Sequence, residues 1–357
     1  MTRKQQLLIL VILSLATAVL TAGCTNQTAS NQTAPVSGAV YETVLNVKDM
    51  SNQLEAGKID AFVAWEPIVS QAQLNGTGVI LAYSDAIWPQ HVGDVIAIPN
   101  SSVQKLGRNA LLCLIWAHVK GTDFINDPSN HDTVVQYIAN DSGVSLQAAN
   151  DSLKNVQYVD DNNPNSIRDC YNELKNASYL NKSVTDLGYA NESQFFNSFV
   201  IQDYSKEVKD NLSRDPNWKP PVVNATVSVG FLTADSTRLT SIVAQKQGYY
   251  SACGLTVHFK EYPNGVAMMK DFETGALDAG RVGAVPTIEA RVNDNAKIQI
   301  ISEVNHGGSA IVVKPNGGIL SLADLKGKLV GIPAVGGLQD IVLRKAAQQN
   351  NLSVSVN

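Results

Sequence analysis

One motif occurs twice in this chain and restricts its fold more than any other feature. The two copies are Leu54–Pro67 (LEAGKIDAFVAWEP) and Phe272–Pro286 (FETGALDAGRVGAVP). In each copy a short helix is predicted to end at a glycine, Gly57 or Gly275, because glycine readily adopts the left-handed conformation that ends helices. A buried strand that opens with Asp-Ala follows, and a proline then begins the next helix, where proline is favoured. The motif predicts strand–helix units of an α/β protein.

The wider pattern of apolar residues supports the same fold class. Strand-like and helix-like segments alternate over residues 41–99 and again over residues 226–356, which favours mixed sheets flanked by helices. Residues 102–212 carry helical spacing instead. Consecutive prolines in Asp215–Pro221 cannot continue a helix or a central strand, so residues 216–223 are interpreted as a Pro-rich linker. A chain of 357 residues is long enough for two lobes.

The amino-terminal segment has the composition of a secretory signal. Arg3 and Lys4 precede an apolar run, Leu7–Ala22, that is shorter than the roughly 20 residues needed to span a bilayer. The run ends in LTAGC, which is similar to a lipobox. Residues 1–24 are therefore predicted to be a signal peptide, with Cys24 as the lipidated first residue of the mature protein; ordinary cleavage beside an incidental Cys24 is the alternative. Residues 25–39, rich in Thr, Asn, Gln and Ser, are predicted to be a flexible tether.

Glycosylation sequons also point to export. The sequence contains 12 Asn-X-Ser/Thr sequons. Its content of Asn, Ser and Thr would produce only about 4 by chance, and such sequons are acceptors in secreted proteins. This excess indicates an exported surface protein with candidate glycosylation sites.

Composition and spacing argue against several functional classes. A formal net charge of -5 without a basic run disfavours nucleic-acid binding, because phosphate binding needs clustered Lys and Arg. The sequence shows no nucleophile–base pair, phosphate-binding loop or metal-ligand spacing, so we predict no enzyme activity, no cofactor and no metal site. Cys113 lies in an apolar helical run and is predicted to be core. Pairing of Cys170 with Cys253 stays open.

Several further motifs together resemble one family, the solute-binding proteins of nitrate/sulfonate/taurine-type ABC transporters (NMT1/THI5-like). The resemblance covers nearly all of residues 41–357. Leu54–Pro67 is similar to the family's second-lobe signature, and two later segments to its carboxyl-terminal helices, Asp186–Tyr189 and Phe195–Val200. The segments similar to the family's amino-terminal half are Val229–Leu232, Gln247–Tyr249, Gly254–Val257, Gly275–Asp278, Gly283–Pro286, Gly308–Val313, Leu322–Lys328 and Val330–Pro333.

The order of these segments differs from that of the family. The part that resembles the family's second half, residues 41–212, here precedes the part that resembles its first half, residues 226–357. A circular permutation is the simplest interpretation, because compact domains tolerate such rearrangement; a recombined or truncated chain is the alternative. On this interpretation a smaller lobe comprises residues 40–93 plus 319–357, and a larger lobe residues 94–215 plus 224–318.

The resemblance implies a two-lobed periplasmic-binding-protein-like (type II) fold and a role as the solute-binding lipoprotein of an ABC importer. Such a protein is a monomer, is anchored by its lipid to the outer face of the cell membrane, and delivers its solute to ABC permease and ATPase subunits. The implied solute is a small anion of the sulfonate, taurine or nitrate kind, and a pyrimidine that serves as a thiamine precursor is the alternative. A ligand-sensing or surface-interaction module, or a remnant without transport function, remains the alternative role.

Hinge closure would bury the solute between the lobes, so polar groups at the carboxyl ends of strands are the candidate ligands. Helix N-termini there favour an anion, whereas Glu66 and Asp235 would suit an amine or a heteroaromatic nitrogen. The predicted ligand-binding residues of the larger lobe are Thr233, Asp235, Ser236, Pro286, Thr287, Gly308 and Ser309. Those of the smaller lobe are Gly336, Gly337, Gln339, Trp65, Glu66, Gln90 and His91.

Overall fold

The computed structural model describes residues 38–357, which contain thirteen strands, fourteen α-helices and three short 3-10 turns. The strands are Ala39–Val44 (β1), Ala61–Trp65 (β2), Val79–Tyr83 (β3), Asp94–Pro99 (β4), Val156–Tyr158 (β5), Ala225–Leu232 (β6), Leu255–Tyr262 (β7), Ala279–Gly283 (β8), Ile298–Glu303 (β9), Asn305–Gly307 (β10), Ser309–Val313 (β11), Leu329–Ile332 (β12) and Ser353–Val356 (β13).

The helices account for most of residues 100–214 and separate the strands elsewhere. They are Val47–Glu55 (α1), Ile68–Leu74 (α2), Ser84–Ile87 (α3), Asn100–Asn126 (α4), His131–Ser142 (α5), Leu146–Ser152 (α6), Pro164–Asn176 (α7), Glu192–Phe199 (α8), Asp203–Arg214 (α9), Leu239–Lys246 (α10), Tyr249–Ala252 (α11), Gly265–Glu273 (α12), Ala284–Asn293 (α13) and Leu338–Gln349 (α14). The 3-10 turns are Pro128–Asn130, Ser236–Arg238 and Leu322–Leu325.

A six-stranded sheet forms the smaller lobe, with the strand order β13-β1-β12-β2-β11-β3. Its strands come from both ends of the described chain. β1 pairs in parallel with β12 on one side and with β13 on the other, where Ala39 lies opposite Ser353. β11 runs antiparallel to both β2 and β3. The smaller lobe therefore comprises residues 38–87 together with residues 309–357.

A five-stranded sheet forms the larger lobe, with the order β7-β6-β8-β4-β9. β6 pairs in parallel with β7 and β8, whereas β4 runs antiparallel to β8 and β9. The chain passes between the lobes twice. In each case the first strand that it forms in the new sheet, β4 in the larger lobe and β11 in the smaller lobe, runs antiparallel to its neighbours.

Two crossover segments, residues 88–93 and 304–308, connect the lobes, and they pair with each other. The Gly93 N–H donates to the Asn305 carbonyl at 2.9 Å, and Val92 forms a single antiparallel bridge with His306. β10, in the second crossover, also pairs with β5. Because both connections run side by side, they form the hinge about which two packed units can rotate.

Buried apolar side chains hold the helices against the faces of the two sheets. One cluster fills the smaller lobe and continues into the larger lobe, with Phe62 and Phe195 among its fully buried side chains. A second cluster lies on the larger lobe, where α4 packs against β4, β6 and β9. The predicted helical character of residues 102–212 agrees with α4 to α9, and residues 215–224 contain neither helix nor strand.

The predicted lobe boundary needs one correction. We expected residues 309–318 to belong to the larger lobe, but β11 hydrogen-bonds between β2 and β3 in the sheet of the smaller lobe. Its five residues are all buried, since it is an inner strand of that sheet. A five-residue apolar strand carries no local signal for which of two sheets will accept it, so the boundary could not be read from the sequence.

The predicted signal peptide, the lipid attachment at Cys24 and nearly all of the tether lie outside the described residues. Within residues 38–357, no helix has the length and apolar character required to cross a membrane.

Candidate functional site

A small cavity of about 30 Å³ lies between the two sheets, beside the paired crossovers. Ligand-binding cavities commonly have volumes of ~300–1,000 Å³, so the lobes would have to open for a solute of ordinary size to enter. Both lobes and both crossovers contribute to the lining, which consists of Trp65, Gly93, Asp94, Leu232, Asp235, Thr237, Asn264, Gly265, Gly283, Pro286, Asn305, Gly307, Gly308, Ser309, Pro333, Ala334, Gly337, Leu338 and Gln339. A solute in this position would contact every part that moves when the lobes rotate.

Strand register brings these residues together from distant parts of the chain. In the smaller lobe, the pairing of β2 with β11 sets Trp65 opposite Ser309. In the larger lobe, the pairing of β4 with β8 sets Asp94 opposite Gly283, just before α13 begins. The carboxyl ends of β6 and β8 therefore meet the start of β4 at the cavity, while β2 approaches from the opposite lobe.

Two buried carboxyl groups form the larger-lobe wall. Thr237 connects them: its hydroxyl donates to Asp94 Oδ2 at 2.7 Å, and its backbone N–H donates to Asp235 Oδ1 at 2.8 Å. Burial raises the pKa of Asp94 to about 6, although the Thr237 hydroxyl and the Arg281 guanidinium act in the opposite direction. Burial, followed by the neighbouring charge of Asp94, raises the pKa of Asp235 well above its usual range.

The first turn of α14 forms the facing wall in the smaller lobe. Gly337 is its N-cap and offers no side-chain cap, so the first-turn N–H groups of Leu338 and Gln339 lack the partner that a capping side chain would supply. The Gln339 amide donates to Ser309 Oγ at 3.0 Å. This wall presents hydrogen-bond donors and the positive end of a helix dipole to the cavity.

Hydrogen bonds between the lobes close the cavity. The Trp65 indole N–H donates to the Thr233 carbonyl at 3.2 Å, and the Ser236 N–H donates to the Glu66 carbonyl at 3.0 Å. The Asn264 amide donates to the Pro333 carbonyl at 3.2 Å. Each of these bonds joins one lobe to the other, so the structure has the lobes in contact around the cavity.

The Glu66 carboxyl group points away from the cavity. Its oxygens accept from the Asn155 amide at 2.7 Å and from the Ser70 hydroxyl at 2.9 Å. Its side chain is fully buried, and burial raises its pKa to about 7 against the effect of these hydrogen bonds. Glu66 thus joins the lobes through Asn155, next to the site and not in its lining.

Half of the predicted ligand-binding residues line the cavity and half do not. Those in the lining are Trp65, Asp235, Pro286, Gly308, Ser309, Gly337 and Gln339. Those outside it are Glu66, Gln90, His91, Thr233, Ser236, Thr287 and Gly336. Contact with a solute stays a prediction for the first group.

The residues outside the lining are occupied by other contacts. The hydroxyls of Thr233 and Thr287 donate to the carbonyls of Tyr262 and Gly283. The Ser236 carbonyl accepts from the Tyr158 hydroxyl at 2.9 Å. His91 is buried against Trp88, whose carbonyl lies 2.8 Å from its Nδ1. The Gly336 N–H donates to Asp340, and Gln90 is exposed.

Sequence reasoning missed Asp94, Thr237, Asn264 and Asn305. A usable signal existed for Asp94, because a carboxyl group that directly precedes a wholly apolar strand stands at the end of a sheet. Asn264 caps α12 by accepting from the Ala267 N–H at 2.9 Å. Because this capping role already explains an asparagine at this position, the sequence gives no sign that Asn264 also lines the cavity. Asn305 depends on the crossover pairing, which has no local signature.

The structure also places the cysteines and the possible metal-ligating side chains of residues 38–357. No group of three or more His, Cys, Asp or Glu side chains in this part of the chain is placed to hold a metal ion. Cys113, Cys170 and Cys253 are free and buried, so the structure does not contain the Cys170–Cys253 pair that the sequence left open. Cys170 and Cys253 belong to different apolar clusters.

Comparison with known proteins gives two family matches in separate parts of the chain. Residues 34–139 match the NMT1-like family, and residues 237–356 match the NMT1/THI5 like family. The first segment contains β1 to β4, all of α4 and most of α5, and the second runs from the cavity-lining Thr237 to β13. No solved structure shows a significant match to the chain.

Curated relatives align over shorter stretches. A protein of Brucella abortus (strain 2308), provisionally named as a binding protein, is 33% identical over 125 residues, which are 34% of this chain and 37% of the relative. A Brucella suis relative with the same kind of name aligns to the same extent. The nitrate import ATP-binding protein of Synechococcus elongatus is 30% identical over 105 residues, 28% of this chain and 16% of that protein. The chain thus spans little more than a third of the Brucella relatives.

The fold defines a class of protein, and the matches point to a family within it. Two α/β lobes with a cavity at a paired double crossover constitute a periplasmic-binding-protein-like fold. Within that class, each of the two matched segments, about a third of the chain apiece, is similar to NMT1-like proteins. The order of its two halves is compatible with the predicted circular permutation, which stays an interpretation.

Proposed function

We propose that this protein is the extracytoplasmic solute-binding component of an ABC importer, which captures a small solute between its lobes by hinge closure. The observation that carries the proposal is the cavity at the paired crossovers, lined by buried polar side chains from both lobes. The names of the Brucella relatives and the nitrate import protein support a binding role linked to transport.

The proposal includes the partners that such a role requires. A permease and an ATPase subunit would receive the solute, and a lipid on Cys24 would hold the monomer at the outer face of the cell membrane. Membrane fractionation of expressing cells tests the anchor: Cys24→Ala is expected to move the protein from the membrane to the soluble fraction. Metabolic labelling with a tagged fatty acid is the second readout, and incorporation of the label into this variant at the level of the unaltered chain would contradict lipid attachment at Cys24.

Solute capture is tested by thermal unfolding after bound ligand has been removed by denaturation, dialysis and refolding. The panel comprises sulfonates, taurine, nitrate and pyrimidines. A ligand at 100 times its Kd stabilises the native state by about 2.7 kcal/mol, which gives a readable rise in the unfolding temperature. One cooperative transition that rises with one chemical class is the expected result.

A matched pair of variants on α14 locates the binding. Gln339 lines the cavity, whereas Gln349, near the other end of the helix, donates to the Ile87 carbonyl at 2.9 Å. Gln339→Ala should weaken the solute-induced shift, and Gln349→Ala should leave it unchanged. A shift that is equal in both variants would place binding elsewhere and refute the proposed site.

A further inference from the structure

The cavity contains two carboxyl groups that are almost completely buried and only half satisfied. Asp94 is 6% exposed and Asp235 is 3% exposed. One oxygen of each accepts a hydrogen bond from Thr237. The second oxygen of each carboxyl accepts no hydrogen bond from the described residues, and both side chains line the cavity. These oxygens are open to the cavity, so a hydrogen-bond donor that arrives from outside the chain can reach them.

The ionisable side chains that line the cavity, Asp94 and Asp235, are both acidic. No Lys, Arg or His side chain of residues 38–357 is part of its lining. Outside the lining, Arg281 is buried in the larger lobe and has His118 Nδ1 3.3 Å from its guanidinium. It acts on Asp94 through its charge and makes no hydrogen bond to that carboxyl group, and its Nε donates to the Ser241 hydroxyl. One shielded cation therefore faces two carboxyl groups.

We propose that Asp94 and Asp235 form a recognition site for a protonated nitrogen, so that the cavity selects solutes bearing an amine or a comparable cationic group. This inference rests on the proposed solute-binding function and names the ligand class for it. An ammonium group between the two free oxygens would satisfy both by charge-assisted hydrogen bonds, which are stronger than neutral ones. The Trp65 indole lines the same cavity and provides an aromatic surface of the kind that attracts cations.

The opposite wall, formed by the first turn of α14, determines which second chemical group of the solute the cavity can bind. The first-turn N–H groups of Leu338 and Gln339 can donate to a sulfonate or carboxylate group on the same molecule. An anion without a protonated amino group would find these donors but would also face two buried carboxyl groups. The site thus accepts a cation or a zwitterion and disfavours a simple anion such as nitrate.

The test uses pairs of solutes in which one member carries an amino group and the other carries a hydroxyl group or a hydrogen in its place. The pairs are 2-aminoethanesulfonate with 2-hydroxyethanesulfonate, 3-aminopropionate with propionate, and an aminomethylpyrimidine with the corresponding hydroxymethylpyrimidine. Their affinities are measured by isothermal titration on the full chain and on Asp94→Asn and Asp235→Asn. These substitutions keep the side-chain size and introduce no buried charge, so both variants should unfold cooperatively. Asp161→Asn, at an exposed position of the larger lobe, controls for the general loss of one charge.

The expected result is that at least one amine binds at least tenfold more tightly than its partner without the amino group. Each cavity variant should lose roughly 10- to 100-fold in affinity for that amine, as expected for a lost hydrogen bond to a charged group, and Asp161→Asn should match the unaltered chain. Tight binding of a solute without an amino group, undiminished in Asp94→Asn and Asp235→Asn, would overturn this inference and leave solute capture intact. Absence of binding by every member would refute solute capture itself, and this inference with it.

Discussion

The substitution Glu66→Gln tests how the buried contacts around the hinge depend on pH. Glu66 is fully buried where β2 meets α2, and its carboxyl group contacts Ser70 in its own lobe and Asn155 in the other. Glutamine has nearly the same size and still offers one oxygen to these donors. The substitution therefore removes the ionisation of the side chain while keeping most of its packing.

The magnitude follows from the pKa of this group. Burial raises the pKa of Glu66 from an ordinary value of 4.5 to about 7. Below pH ~4.5 the group is protonated in both the folded and the unfolded chain, and above pH ~7 it is ionised in both. Between these limits the folded chain keeps a proton that the unfolded chain has lost, so the free energy of unfolding falls as the pH rises. At about 1.36 kcal/mol per pH unit the total is about 3 kcal/mol.

The assay compares the free energies of urea unfolding of the unaltered chain and Glu66→Gln, followed by tryptophan fluorescence from pH 4.5 to pH 8. Taking the difference cancels every other titrating group. We expect the advantage of the unaltered chain to decrease by about 3 kcal/mol over this range. Glu55→Gln, at an exposed position at the end of α1, is the matched control and should show a constant difference. A difference that is equally constant for Glu66→Gln would refute the reasoning.

Two further substitutions probe packing and closure. Gly121→Ala, in α4, would place a new Cβ 2.6 Å from the Thr240 carbonyl oxygen, so we expect a loss of about 1–3 kcal/mol in the free energy of urea unfolding. An unchanged urea midpoint would show that the two helices can separate freely. Trp65→Phe removes the hydrogen bond between the lobes to the Thr233 carbonyl, which contributes about 1 kcal/mol. We expect solute affinity to fall several-fold in isothermal titration, and unaltered affinity would mean that this bond does not contribute to closure.

The secondary structure of the repeated motif could be predicted from the preferences of its own residues. Gly57 and Gly275 adopt the left-handed conformation with φ of 68° and 73°, and the expected buried strands β2 and β8 follow them. Pro67 is the N-cap of α2, and Pro286 lies in the first turn of α13. These features depend on residues that are neighbours in sequence, so the sequence indicates them directly.

The candidate site was only partly predictable because its geometry depends on pairing between distant segments. Asp94 reaches the cavity only because β4 inserts between β8 and β9, a choice that its own residues do not encode. Glu66 was expected in the cavity beside Trp65. Consecutive side chains of an extended segment point in opposite directions, so placing Trp65 in the lining turns Glu66 towards Ser70 and Asn155. The prediction of an anionic solute, which stays a prediction, rested on the family resemblance and on helix N-termini, was weighed against Glu66 and Asp235, and took no account of Asp94.

The way in which the chain divides between the sheets has a consequence for synthesis on the ribosome. The larger lobe is built from one continuous stretch, whereas the sheet of the smaller lobe needs β1 to β3 together with β11 to β13. Domains that are complete in sequence can fold as they emerge, while strands whose partners are not yet made must wait. The larger lobe should therefore form first, with β1 to β3 unpaired on the nascent chain. The cavity between the lobes would be completed only when β11 and β12 have been translated and inserted beside β2.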